Sequence, residues 1–103
     1  EPTNEQKNAL KKAETYSSSM HMSKQKIYQQ LTSSYGEGFT SEAAQYAVDN
    51  LQADYNTNAL EKAKTYQSSM SMSKQRIYEQ LTSSYGEGFT KEESQYAIDH
   101  LED

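Results

Sequence analysis

The sequence predicts an all-α protein made of two tandem three-helix repeats. Three observations carry this. Asn8–Leu51 aligns without a gap on Asn58–Leu101, and 33 of the 44 aligned positions are identical. Apolar residues return every three or four positions on each candidate helix. Helix-start residues and a Gly-containing turn punctuate both copies at the same places. A fixed period with no insertion means one structural unit made twice, with boundaries at 1–52 and 53–103.

The first helix begins after Pro2, where proline is tolerated, with Thr3 or Asn4 as its cap. Ala9, Ala13, Tyr16 and Met20 then recur at i, i+4, i+7 and i+11, with Leu10 beside them. Lys11, Lys12 and Glu14 point away from that stripe. The stripe returns as Ala59, Leu60, Ala63, Tyr66 and Met70. Ser17, Ser18 and Ser19 weaken the end of this helix, because serine competes for backbone hydrogen bonds.

Ser23 starts the second helix. Met22 before it and Ile27 after it can form a hydrophobic staple. Ile27, Tyr28, Leu31 and Tyr35 make the apolar face, and Gly36 is placed as a left-handed C-terminal cap. The conspicuous segment MSKQKIYQQLTSSYGEGFT, Met22–Thr40, returns as MSKQRIYEQLTSSYGEGFT, Met72–Thr90.

Thr40 caps the third helix, and Glu42 sits in its first turn, where the helix dipole favours an acid. Thr90 and Glu93 make a capping box in the second copy; Ala43 removes it from the first. Ala44, Ala47, Val48 and Leu51 form one face, with Ser94, Ala97, Ile98 and Leu101 in the copy. Phe39 and Phe89 each plug the base of a unit. The linker Gln52–Thr57 holds no Gly or Pro, and Asp54 can cap the fourth helix, so a break is expected there rather than a continuous rod. The second and third helices of each unit look like a helix-turn-helix.

Composition narrows the function. The 103 residues are 33% hydrophobic, and the mean hydropathy is −1.10. Nine tyrosines therefore contribute much of the packing. There is no cysteine, hence no disulfide or thiolate chemistry. Net charge is −5, with −1 on residues 1–51 and −4 on residues 52–103. That balance disfavours a nucleic-acid partner, and the third helices carry acids where base-reading residues would have to be. A basic protein partner fits better. No apolar run approaches the roughly 20 residues that cross a bilayer. The chain starts at Glu1 rather than Met, and a processed fragment without its targeting segment is expected.

Met20, His21 and Met22 have the softness of a copper site, but Ser71 replaces the histidine in the copy. No metal or cofactor is expected. Tyr35–Phe39 and Tyr85–Phe89 match neither a phosphate loop nor a calcium loop and read best as turns. Neither unit assembles nucleophile, base and orienting group, so no enzyme is expected. What remains is an acidic surface: Glu37, Glu42 and Asp49, repeated as Glu87, Glu92, Glu93 and Asp99. Glu42 and Asp49 are seven apart and share a helix face. Such a surface is either a solvated face or a docking site made twice, which would add avidity.

NALKKAETY, the segment Met22–Thr40 and the following QYAVDNL resemble the repeat of the Ltp-type, host cell surface-exposed lipoproteins. The likeness covers both units. Met22, Met72 and Tyr55 stand where many members have Phe, Phe and Trp. The resemblance implies a prophage-made protein tethered outside the bacterial plasma membrane by a lipid on an N-terminal Cys that this chain does not contain. It further implies superinfection exclusion, a block on DNA injection through the incoming phage's tape measure protein. The family brings no catalytic motif. Read this way, the chain is a monomeric binding module whose acidic faces meet a basic helical segment of that protein. A cell-wall module gripping peptidoglycan through exposed Tyr and the Gly-Glu-Gly turn is the alternative.

Overall fold

The computed structural model describes residues 1–102 and contains six helices. They are α1 (Asn4–Ser18), α2 (Lys24–Thr32), α3 (Ser41–Asn50), α4 (Tyr55–Met70), α5 (Lys74–Thr82) and α6 (Lys91–His100). No strand occurs among the described residues. The body measures 47 × 24 × 21 Å, so the units lie along one axis.

Each start is made by the residue type that supplies a side-chain acceptor for free helix N–H groups. Thr3 and Gln6 form a capping box. Ser23 accepts from the amide of Lys26, Thr40 from that of Ala43, and Asp54 from that of Thr57. The break at Asp54 is present: α3 ends at Asn50 and α4 opens at Tyr55, with four residues between them. Thr90 and Glu93 form their box. Where Ala43 deprives the first unit of it, Glu5 reaches across from α1 and its carboxylate accepts from the Thr40 hydroxyl at 3.0 Å.

Within a unit α1 packs chiefly on α3, and α4 on α6. Both seams are lined by alanines, Ala9, Ala13, Ala44 and Ala47 in the first and Ala59, Ala63 and Ala97 in the second, all 0% exposed. Small side chains let the two backbones approach closely. The second helix then supplies the bulk. Ile27, Leu31, Ile77 and Leu81 are the largest fully buried side chains, each stabilising by about 1.5–3 kcal/mol. Half-buried tyrosines close the rim of this thin core; Tyr16, Tyr28 and Tyr55 pack on the first one.

Three sequence expectations are corrected. Gly36 is not a left-handed cap. Helix α2 stops at Ser33, which is extended, and the left-handed glycines are Gly38 at φ 70° and Gly88 at φ 72°. Gly36 is needed for a different reason: a Cβ there would lie 2.3 Å from the Gln30 carbonyl oxygen. Tyr35 and Tyr85 are not on the apolar face; they are 100% and 98% exposed. Met20 and Met70 leave their stripes and are 50% and 60% exposed. Tyr35, Tyr85 and Met20 lie past the ends of their helices, where the period no longer applies, and Met70 is the last residue of α4. Left-handed His21 and Ser71, at φ 53° and 54°, make the reversal after α1 and α4. The next amide, of Met22 or Met72, then reaches back 3.2 Å to the carbonyl of Tyr16 or Tyr66.

A small polar joint holds the units together. The buried amide of Asn58 donates to Ser17 Oγ at 2.9 Å and to the Met22 carbonyl at 3.0 Å. Ser23 Oγ donates to the carbonyl of Glu87. Tyr55, the first residue of α4, lays its ring against the core of the first unit.

Candidate functional site

The seven candidate acids divide into two groups. Glu42 and Asp49 stand exposed on α3, and Glu92 and Asp99 stand exposed on α6. Asp49 accepts from the Gln45 amide and Asp99 from that of Gln95, both at 2.8 Å. These one-turn contacts hold the carboxylates upright on the helix surface and leave lone pairs free.

Glu37, Glu87 and Glu93 are engaged within the fold. Glu93 is half-buried and accepts from the amide of Thr90 at 2.9 Å. Glu37 accepts from the Tyr16 hydroxyl and lies 3.7 Å from Lys12 Nζ. Glu87 repeats this with the Tyr66 hydroxyl and with Lys62 at 3.8 Å. The glutamate of the Gly-Glu-Gly turn therefore ties that turn to the first helix of its unit. Burial, followed by the hydrogen bond to Glu87, pushes the Tyr66 phenol up to about 12. Tyr16 is raised from its ordinary value by burial and by Glu37. Glu37 and Glu87 differ from the other acids in one visible respect: each stands between two glycines.

Sequence patterns gave no sign of a cleft between the units. It has a volume of about 550 Å³, with Gln25, Tyr28, Gln45 and Val48 on one side and Gly88 and Glu93 on the other. Amides and a phenol line it together with Lys24 and the Glu93 carboxylate, a set suited to hydrogen bonding. Among the described residues no three His, Cys, Asp or Glu side chains gather where a metal could be held. His100 stacks on Tyr96 at 3.9 Å between ring centroids. No described helix is long and apolar enough to cross a membrane.

A model of the host cell surface-exposed lipoproteins, Lipoprotein_Ltp, matches residues 4–51 and again 54–101. The chain belongs to this family. Each match takes in one three-helix unit. Among solved structures the chain is similar to Ltp, a superinfection exclusion protein from the Streptococcus thermophilus temperate phage TP-J34. The two are 42% identical, with a TM-score of 0.89 over 99% of this chain and 100% of that one. A comparison with curated proteins returns no match. As in that family, the chain is an all-helical tandem repeat.

Proposed function

We propose that this protein is a superinfection exclusion module: held at the host cell surface, it binds an incoming phage component and stops genome entry. One observation carries the reading, the 42% identity to an exclusion protein over essentially the whole length of both chains. The finer mechanism is that the phage tape measure protein is the target and that its basic helical segments meet the outward acids of α3 and α6. Glu42, Asp49, Glu92 and Asp99 are the carboxylates left free for this. Two copies on a short linker give two-point attachment. Opposite charge speeds the encounter, which suits a brief event such as injection. In the full-length protein an N-terminal lipid would provide the anchor. The role is binding, with no chemical step.

The test is a fourfold charge reversal of Glu42, Asp49, Glu92 and Asp99 to Lys in the surface-anchored protein. Plaquing by a challenging phage should recover while surface level and helical content stay unchanged. Undiminished exclusion would remove the acidic faces from the mechanism.

The two fully exposed tyrosines favour a second reading. Tyr35 and Tyr85 sit at the same turn of each unit, free to stack on sugar rings. Retention on purified peptidoglycan that survives high salt, and is lost in Tyr35→Ala/Tyr85→Ala, would favour a cell-wall module.

A further inference from the structure

The joint between the units is heterologous: one surface of the first unit meets a different surface of the second. The first unit contributes Ser17, Met22, Ser23 and Gln25. The second contributes Asn58, the Glu87 carbonyl and Gly88. The units are copies, so each surface exists twice in the chain and one example of each stays open. At one end lie Asn8, Glu37 and Gly38, counterparts of Asn58, Glu87 and Gly88. At the other lie Met72, Ser73 and Gln75, counterparts of Met22, Ser23 and Gln25.

The burial of paired positions reports the difference. Asn58 is 5% exposed, whereas Asn8 is exposed. Ser23 is 0% exposed, whereas Ser73 is exposed. A Cβ on Gly88 would come within 3.2 Å of Gln25, whereas one on Gly38 would meet nothing within 4 Å.

We infer that the open ends fit a second copy of this chain, docked head to tail through the contacts that already join the two units. Asn8 of one copy donates to the Met72 carbonyl of the next, and Ser73 donates to the Glu37 carbonyl. The identity of these residues with those of the internal joint supplies the complementarity. Such a contact does not pair one surface with itself, so it adds further copies, as an open chain or as a ring where its rotation closes.

Two substitutions weaken it relative to the internal joint. Tyr55, whose ring lies on the neighbouring core, has Glu5 as its counterpart, and a carboxylate cannot replace a packed ring. Ser17, which accepts from Asn58, has Gln67 as its counterpart. The Gln67 amide is turned onto the Glu102 carbonyl at 3.1 Å. Terminal repeats commonly differ in this way, because an unmodified end would polymerise. The monomer expected from the sequence is then the dilute limit, and association grows where chains are crowded on a surface.

Sedimentation of the 103-residue chain tests this. Glu5→Tyr with Gln67→Ser restores the internal pairing and should strengthen self-association roughly tenfold or more, with species beyond the dimer. Adding Asn8→Lys should return it to monomer. Because Glu5 also supports Thr40, circular dichroism accompanies the variants. A second measurement does not depend on Glu5. The chain has no cysteine, so Asn8→Cys with Gln67→Cys, mildly oxidised, should give a ladder joined from position 8 to position 67. A restored variant that stays monomeric at its solubility limit, association indifferent to Asn8→Lys, or random 8–8 and 67–67 links would each overturn the inference.

Discussion

Replacing Tyr66 with Phe removes one hydroxyl and nothing else, and the repeat provides its own control in Tyr16→Phe. Glu87 is 17% exposed in its side chain, and it has the Tyr66 hydroxyl and a distant Lys62 as partners. A hydrogen bond to a charged group contributes about 1.5–3 kcal/mol when sheltered. Residual water contact at Glu87 lowers this to about 1–2 kcal/mol. Glu37 is 25% exposed and its lysine 55%, so water replaces the lost hydroxyl more readily, and Tyr16→Phe should cost about 0.5–1 kcal/mol. For a domain of this size the first loss lowers the melting temperature by roughly 4–10 °C. Thermal and urea unfolding followed at 222 nm measure both.

The pH profile is a second readout of the same bond. The Tyr66 phenol is raised from 10.0 to about 12 in the fold, first by burial and then by Glu87. The neutral form is therefore favoured in the folded state. The stabilisation is complete below pH 10, where the unfolded phenol is also neutral, and declines between pH 10 and about 12. Tyr66→Phe should flatten that decline. A neutral Tyr66→Phe, or one less costly than Tyr16→Phe, would refute the role given to burial at Glu87.

Asn58→Ala removes two hydrogen bonds from the joint and should cost about 1–3 kcal/mol, splitting one unfolding transition into two. Its exposed counterpart Asn8→Ala should stay within about 0.5 kcal/mol, as differential scanning calorimetry would show. Gly36→Ala drives a Cβ onto the Gln30 carbonyl and should unfold the first unit at lower urea than Gly38→Ala, which meets open space and carries only left-handed strain of about 1–2 kcal/mol.

Local chemistry made much of the fold legible. The repeat, the caps at Ser23, Thr40, Asp54 and Thr90 and the break before α4 depend on neighbours within four residues, and all can be read from the chain. Long-range contacts were not legible. Nothing near Glu37 in sequence indicates that Tyr16 claims it, and an acid on a glycine turn looks solvated. Periodicity also misled at helix ends: Tyr35 continues the pattern of Ile27, Tyr28 and Leu31, yet α2 has stopped at Thr32. The candidate site was half visible for the same reason. Glu42 and Asp49 stay outward on α3, whereas Glu37 and Glu87 at the turns are recruited by tyrosines distant in sequence. The joint escaped because identical residues, Asn8 and Asn58, meet different surroundings.

The joint is built from an amide, hydroxyls, carbonyls and one ring, all uncharged. Counterions therefore have little to screen there. The spacing between the acids of α3 and those of α6 stays set in fresh or briny medium alike, while the pull of those acids on a cation rises and falls with it. Under the proposed function, the two acidic faces act as a calliper whose jaws keep their gap as their grip changes.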